Sequence, residues 1–243
     1  MIKKVQVSNS AKYCLTIFSY MFYIFTISAC KKDSSQDEIP YIGINYTPIE
    51  IGDWIIYDVD STYKAGFTNY VHAHYQIKEV VADTFIDDEG HLAYRIERFR
   101  KDSGQFPDWT IYQVWSARIS SMAYERNEDN NRFIKVSFPI KNGKTWNGNS
   151  KNIFERMDYE FTDVHVNEQV GKFNLDSVAT VLHTDDTTNL VKPEFEYEKY
   201  AANVGLVYRY SYKIERQAQQ GNPNIIDTVK YIKYIENIID YKK

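Results

Sequence analysis

Residues 204–215 read VGLVYRYSYKIE. Val204, Leu206, Tyr208, Tyr210, Tyr212 and Ile214 occupy one set of alternate positions, and Gly205, Val207, Arg209, Ser211, Lys213 and Glu215 the other. Successive side chains of a β-strand point to opposite faces, so this period of two predicts a half-buried strand. The expectation is that the tyrosine-rich set faces the core and the set with Arg209, Lys213 and Glu215 faces water.

The same period recurs along the chain. Val71, Ala73, Tyr75 and Ile77 oppose His72, His74, Gln76 and Lys78. Leu92, Tyr94 and Ile96 oppose Arg95 and Glu97, while Trp109, Ile111, Trp115, Ala117 and Ile119 form an apolar set broken only by Gln113. Weaker runs cover 54–60, 131–138, 157–164, 173–183 and 228–236, with turn-forming clusters such as Asp87-Asp88-Glu89-Gly90 and Asn142-Gly143 between them. The chain holds 26 Ile against 6 Leu, with 21 Tyr and 13 Phe, a choice of residues that fits pleated strands. These observations predict an all-β fold: a single antiparallel meander over 45–243, curling into a sandwich or an open barrel to cover its apolar face. Two segments read less plainly. Glu194 to Asn203 could form a short helix stopped at Gly205, and Tyr231 to Tyr241 has isoleucines at helical spacing but a β-branched content that favours a strand.

The N-terminus has a different logic. Lys3, Lys4 and Lys12 precede an uncharged run from Tyr13 to Ala29, the pattern of a secretory signal peptide, read as a signal helix over 1–29. A run of that length also lies at the lower edge of what spans a bilayer as an uncleaved anchor. Ile27-Ser28-Ala29-Cys30 decides between the two, because it resembles the lipobox of bacterial lipoproteins. The resemblance implies cleavage before Cys30, diacylation of its thiol and acylation of the new amino terminus. Three acyl chains exceed the two signals that stable anchoring requires. Cys14 is the only other cysteine and lies within the signal, so the mature chain has no disulfide and no cysteine-based zinc site or nucleophile.

Removing residues 1–29 leaves 26 basic residues against 33 acidic, moving the formal charge from −4 to −7. An acidic chain with no basic stripe excludes a nucleic-acid partner. Residues 30–44 read as the acylated cysteine and a flexible tether, polar from Lys31 to Glu38. That segment is similar to the charged stretch after the acylated cysteine in Bacteroidota-type lipoproteins, where acidic residues favour surface display. Here two lysines come first, which leaves the periplasmic face and the cell surface both open. The stretches PIEIGDW (48–54) and VGLVY (204–208) resemble the first and a late strand of uncharacterised lipoproteins of the same type. That likeness implies a shared β-rich fold and no particular activity.

Candidates for chemistry are few. WIIYDVDST (54–62) resembles the first motif of haloacid-dehalogenase-type phosphatases, which would make Asp58 a nucleophile and Asp60 a general acid. That chemistry needs a parallel sheet with helices. The competing reading is a strand with Asp58 and Asp60 on its solvent face and Tyr57 and Val59 inside. His72 and His74 share a face about 6.5–7 Å apart, a spacing that suits one metal ion if a third ligand is near. His91, His165 and His183 are the other histidines. Glu194, Glu196 and Glu198 alternate and contain no pair that spacing singles out for glycoside hydrolysis. The acidic clusters Asp87-Asp88-Glu89 and Asp185-Asp186 read as solvated hairpin tips. Of the aromatics, Trp109, Trp115 and the Tyr208 series point inward by period, whereas Tyr112 falls on the opposite face and is the better ligand-binding candidate.

The function expected from these residues is that of an outer-membrane, lipid-anchored protein without a cofactor. It would act as a non-enzymatic module that binds a glycan or apolar ligand or joins an envelope complex. The alternative is a metal-dependent hydrolase at the cell surface.

Overall fold

The computed structural model describes residues 41–66, 68–102, 106–219 and 221–243. The signal segment, Cys30 and most of the tether lie outside the described residues. A 3₁₀ turn over Ile44–Tyr46 precedes twelve strands: β1 (Trp54–Ala65), β2 (Val71–Ile86), β3 (Leu92–Asp102), β4 (Phe106–Ile119), β5 (Ala123–Glu128) and β6 (Asn131–Ser137), then β7 (Thr145–Asn147), β8 (Asp158–Val170), β9 (Phe173–Asp185), β10 (Glu194–Ala201), β11 (Gly205–Gln219) and β12 (Asn222–Lys242). The segment 194–203 is therefore mostly strand rather than helix. β10 gains ladder partners on both sides, from β9 and β11, which a lone helical turn could not offer.

All twelve described strands belong to one antiparallel sheet in the order β6-β5-β4-β3-β2-β1-β12-β11-β10-β9-β8-β7. β1 lies in mid-sheet, where it pairs with β12 from Trp54↔Lys242 to Ala65↔Lys230. The two halves extend outward from that join, and the sheet is nearly closed into a barrel. At the seam, Ile134 N–H donates to the Gly148 carbonyl at 2.9 Å, and Trp146 Nε1 donates to the Ile134 carbonyl at 2.9 Å. Asn152 Nδ2 donates to the Arg132 carbonyl at 2.9 Å. Gly148 is needed at this point, since a Cβ there would strike the ring of Tyr159. Curling the sheet leaves little free edge for another strand to join.

Direct cross-strand partners share a face, so the inner layer can be followed around the barrel. Tyr75 opposes Val59, which opposes Glu236; Glu236 opposes Arg209, Arg209 opposes Glu198, Glu198 opposes Val181 and Val181 opposes Phe161. Val59, Val181, Phe161, Glu198 and Glu236 are all at most 1 % exposed. The charged residues in this layer are as buried as the apolar ones.

This layer corrects the expected faces of 204–215. Leu206 opposes Tyr200 and points inward as expected, but the next pair is Tyr208↔Lys199. Val207 is an extra residue, a β-bulge, and the alternation changes phase beyond it. Arg209, Ser211 and Lys213 turn into the barrel, and Tyr208, Tyr210 and Tyr212 turn out. The outward rings cover one another: Tyr197 stacks on Tyr208 at 5.7 Å and on Tyr210 at 5.6 Å, and Tyr212 meets Tyr231 edge-on at 5.9 Å. A second register shift, where Arg98↔Gln113 gives way to Phe99↔Ile111, does the same to β4. Trp115 and Ala117 are buried as expected, but Ile111 is exposed, and Trp109 shares its outward face.

Candidate ligand cavity

Cross-strand partners bring charged side chains together inside the barrel that lie far apart in the chain. Glu198 on β10 is the hub. Lys135 Nζ of β6 lies 2.9 Å from Glu198 Oε1, Arg209 Nε of β11 lies 2.9 Å from the same oxygen, and Tyr200 OH donates to Oε2 at 2.6 Å. His183 Nε2 of β9 lies 3.4 Å from Glu198 Oε2 without an aligned hydrogen bond. Burial pushes the Glu198 carboxyl up, but Lys135, Arg209 and His183 together outweigh it and hold the group well below the usual carboxylate range.

From this hub the pairing continues across the barrel. Arg209 lies 3.4 Å from Glu128 and 3.7 Å from Glu236. Arg98 lies 2.9 Å from Glu79 and 3.4 Å from Glu236, and Arg126 lies 2.8 Å from Glu79 and 3.4 Å from Glu128. The Arg98 guanidinium also stacks over the Trp115 ring at 3.7 Å. Burial opposes ionisation of Glu79, yet Arg126 and Arg98 bring its value down to about 2. Glu236 moves the other way: burial outweighs Arg209 and Arg98 and raises it. Every cation of the network faces a carboxylate, which is the condition under which buried charge is tolerated.

Above the hub the barrel opens into a cavity of about 700 Å³, lined among others by Phe133, Lys135, Tyr159, His183, Glu198 and Arg209. This volume falls within the ~300–1,000 Å³ of small-molecule sites. Tyr159 and His183 stack with their rings 3.9 Å apart and 8° from parallel. In the same cavity lining Phe133 stacks on Phe154 at 6.1 Å and 23°. Loop 148–157, held by Asn149 Nδ2 donating to the Glu155 carbonyl at 2.7 Å, forms one lip of the opening.

The residues singled out by sequence lie elsewhere. Asp58, Asp60, His72 and His74 are on the outer face, while Tyr57 and Val59 are fully buried beneath them. The sheet has no parallel pair among its described strands, so Asp58 and Asp60 do not stand at the end of a parallel strand as phosphatase chemistry requires. His72 Nδ1 lies 3.0 Å from Thr62 Oγ1 and apart from the acids. His74 instead meets Asp58 at 3.0 Å, and ligand atoms of Asp58, Asp60 and His74 lie within 4.8 Å of one another. The Asp58 hydrogen bond raises the His74 pKa. A second group, Asp87, Glu89 and His91, is equally close, but its carboxylates are already matched to arginines. Arg118 lies 2.8 Å from Glu89 and 3.2 Å from Asp87, and Arg132 lies 2.6 Å from Glu89. The turn expected to be solvated is thus tied to β4 and β6, with Asp87 largely buried. Tyr112 is half-exposed near the Arg100 guanidinium, 5.8 Å away, outside the cavity lining.

The cavity residues escaped the sequence reading for a physical reason. The period of two places Arg209 on the wet face, Glu198 is one of three equivalent acids, His183 is one of three histidines beside the His72–His74 pair, and nothing in the sequence marks Lys135. Opposite charges on neighbouring strands are the signal that finds them, and it becomes visible only once the strand order is known. No protein-family model, no curated protein and no solved structure matches this chain.

Proposed function

We propose that this chain is a non-enzymatic binding module of the bacterial envelope, held to the outer membrane by lipid on Cys30, that takes a small ligand into the barrel cavity. The observation that carries the reading is the open cavity of about 700 Å³ above a charge-paired floor. A glycoside hydrolase would need one carboxyl that keeps its proton near neutrality. The two acids lining this cavity on β10 do the reverse. Lys213, against the effect of burial, lowers Glu196, just as Lys135 and Arg209 lower Glu198. Both are acceptors rather than acids, which suits binding.

The envelope address rests on the lipobox at 27–30 and the polar tether after it. The outer face supports a domain standing off the lipid: Asp58, Asp60, His72, His74 and Lys78 face outward and break the continuous apolar band of lipid-spanning barrels. Intact-mass spectrometry of the full chain extracted from its own membranes tests both halves. Under denaturing conditions the chain is expected to begin at Cys30 and to carry acyl mass. Under native conditions it is expected to retain a small molecule. An unmodified Cys30 inside an uncleaved chain refutes the anchor, and a bare native mass counts against the carrier.

The convergence of Asp58, Asp60 and His74 favours a second reading, a metal-dependent hydrolase on the outer face. With zinc or manganese added, the full chain is expected to leave nitrophenyl phosphates and esters intact. Turnover lost in both Asp58→Asn and His74→Ala would put this alternative first.

A further inference from the structure

The point where the chain enters the barrel decides which end of it can meet the lipid. The strands alternate in direction, so the start of β1 shares one end with the turns 87–91 and 120–122, the near end. The turn 129–130 and loop 148–157 lie at the other, the far end. Glu128, Phe133, Phe154 and Met157 line the cavity, which therefore opens at the far end.

Little slack separates the anchor from the near end. Ten residues, 31–40, join Cys30 to Tyr41, and a chain of ten residues spans at most about 35 Å. From Ile42 onward the backbone is tied down. Ile140 N–H donates to the Ile42 carbonyl at 3.1 Å, and Asn203 N–H donates to the Asn45 carbonyl at 2.6 Å. Tyr46 is fully buried, its hydroxyl 2.6 Å from Ser177 Oγ and 2.8 Å from His165 Nδ1. Thirteen-residue strands such as β8 and β9 each run about 43 Å. The tether is thus shorter than the wall it would have to pass to bring the far end to the lipid.

The near end offers apolar groups to that surface. Tyr41 is 62 % exposed, Ile44 40 % and Met122 74 %. A groove of about 520 Å³ opens beside them, between residues 41–50 and the ends of β3 and β4 at Tyr94 and Ile119. Exposed charges at this end have both signs: Lys141, Lys172 and Lys242 against Glu50, Asp88 and Asp240. The attraction is then apolar, side chains entering the boundary of headgroups and acyl chains, rather than a pull on anionic lipid. Apolar side chains are exposed at the far end as well, Ile153 and Leu190 among them. Exposure alone does not choose between the ends; the position of the anchor does.

Resting on the reading of Cys30 as lipid-bearing, we propose that the barrel stands on the membrane surface by its near end. Tyr41, Ile44 and Met122 touch lipid, the side walls stay in water, and the cavity mouth faces away from the membrane.

Fluorescence of the lipidated full chain in phosphatidylcholine vesicles tests this. Tyr41→Cys, Met122→Cys and Ile153→Cys each supply one free thiol for a fluorescent label, since Cys30 is then acylated and Cys14 has left with the signal peptide. Nitroxide-bearing lipid is expected to quench the labels at 41 and 122. Dissolved iodide should quench these two several-fold less than the label at 153, a position 93 % exposed at the far end. Raising the salt should change neither result. Position 122 is decisive, because it lies on a different turn from the tether. If 41 meets lipid while 122 stays open to iodide, the barrel swings on its tether and the proposal fails. If 122 is shielded from iodide but untouched by the lipid nitroxide, a second copy covers this end in place of lipid, and the proposal fails again. Lipid quenching at 153 means that the barrel lies on its side or inverted, which also overturns it. Each of these failures leaves the anchor standing, whereas an unmodified Cys30 in the mass spectrum overturns the anchor and the contact together. All three positions are exposed, so melting temperatures are expected to match the parent chain. A near-end variant that melts early is replaced by Ile51→Cys, 60 % exposed at the same end.

Discussion

Replacing Arg209 by methionine is expected to lower the melting temperature by roughly 6–20 °C, the counterpart of about 3–5 kcal/mol for a buried ion pair broken from one side. The guanidinium lies between Glu198, Glu128 and Glu236, and Glu198 and Glu236 are at most 1 % exposed. Removing the cation leaves those carboxylates facing one another in a medium that screens them poorly. Methionine fills much of the same volume, so the loss reports charge more than packing. Arg95→Met is the control. Arg95 pairs with Glu97 at 2.9 Å on the exposed face of β3, with its side chain 48 % exposed, and its loss is expected to cost no more than about 0.5 kcal/mol. The comparison tests the bulge at Val207 directly. If Arg209 faced water, as unbroken alternation predicts, the two substitutions would be equally mild.

Acid is expected to unfold the domain steeply between pH 4.5 and pH 2. Glu79 titrates at about 2 in the fold against an ordinary value of 4.5. A lowered folded value contributes stability that is fully present above pH 4.5 and is lost as the pH falls toward 2. For Glu79 alone the loss amounts to about 3 kcal/mol, at ~1.4 kcal/mol per unit. Glu198, also lowered, acts with the same sign. Glu236 has the opposite sign: its raised value means the fold takes up that proton more readily than the unfolded chain does. It therefore adds a little stability as the pH approaches 4.5 from above and partly offsets the early losses. Below that, protonating Glu79 leaves Arg98 and Arg126 without their shared partner. Urea midpoints at pH 7, 4.5 and 2.5 measure this, and equal midpoints at the two lower values would rule out the charge-paired interior. Glu79→Gln should be less stable at pH 7 and should lose less on acidification.

The two experiments bear on different parts of one arrangement. The first asks whether a particular cation is inside, and the second whether the carboxylates around it are ionised there.

Much of the scaffold was legible before any coordinates. The period of two in 71–78 placed Tyr75 and Ile77 inside and His72 and His74 outside, as the barrel has them. The strand through 228–236 and the inward set Trp115 and Ala117 also stand. Where the reading failed, it failed at bulges. Alternation is a sound guide only while each residue faces one partner, and at Val207 and again opposite Arg98–Phe99 one strand spends an extra residue. A short run of sequence has no mark for that event, since it is set by the neighbouring strand. Tyrosine deepened the error: its ring is apolar enough to look like core, and its hydroxyl lets it line an outer face.

By itself, then, the order of residues determined that this chain forms antiparallel strands and where they turn, because β-branched preference, side-chain alternation and turn chemistry act over a few neighbouring residues. It also set up the expectation of a lipid-bearing Cys30, a motif complete within four positions. Only the tertiary structure decided which face is inside. Arg209 becomes an interior residue when β10 and β12 bring Glu198 and Glu236 to either side of it, and a charge can leave water only when its partners arrive from elsewhere in the chain.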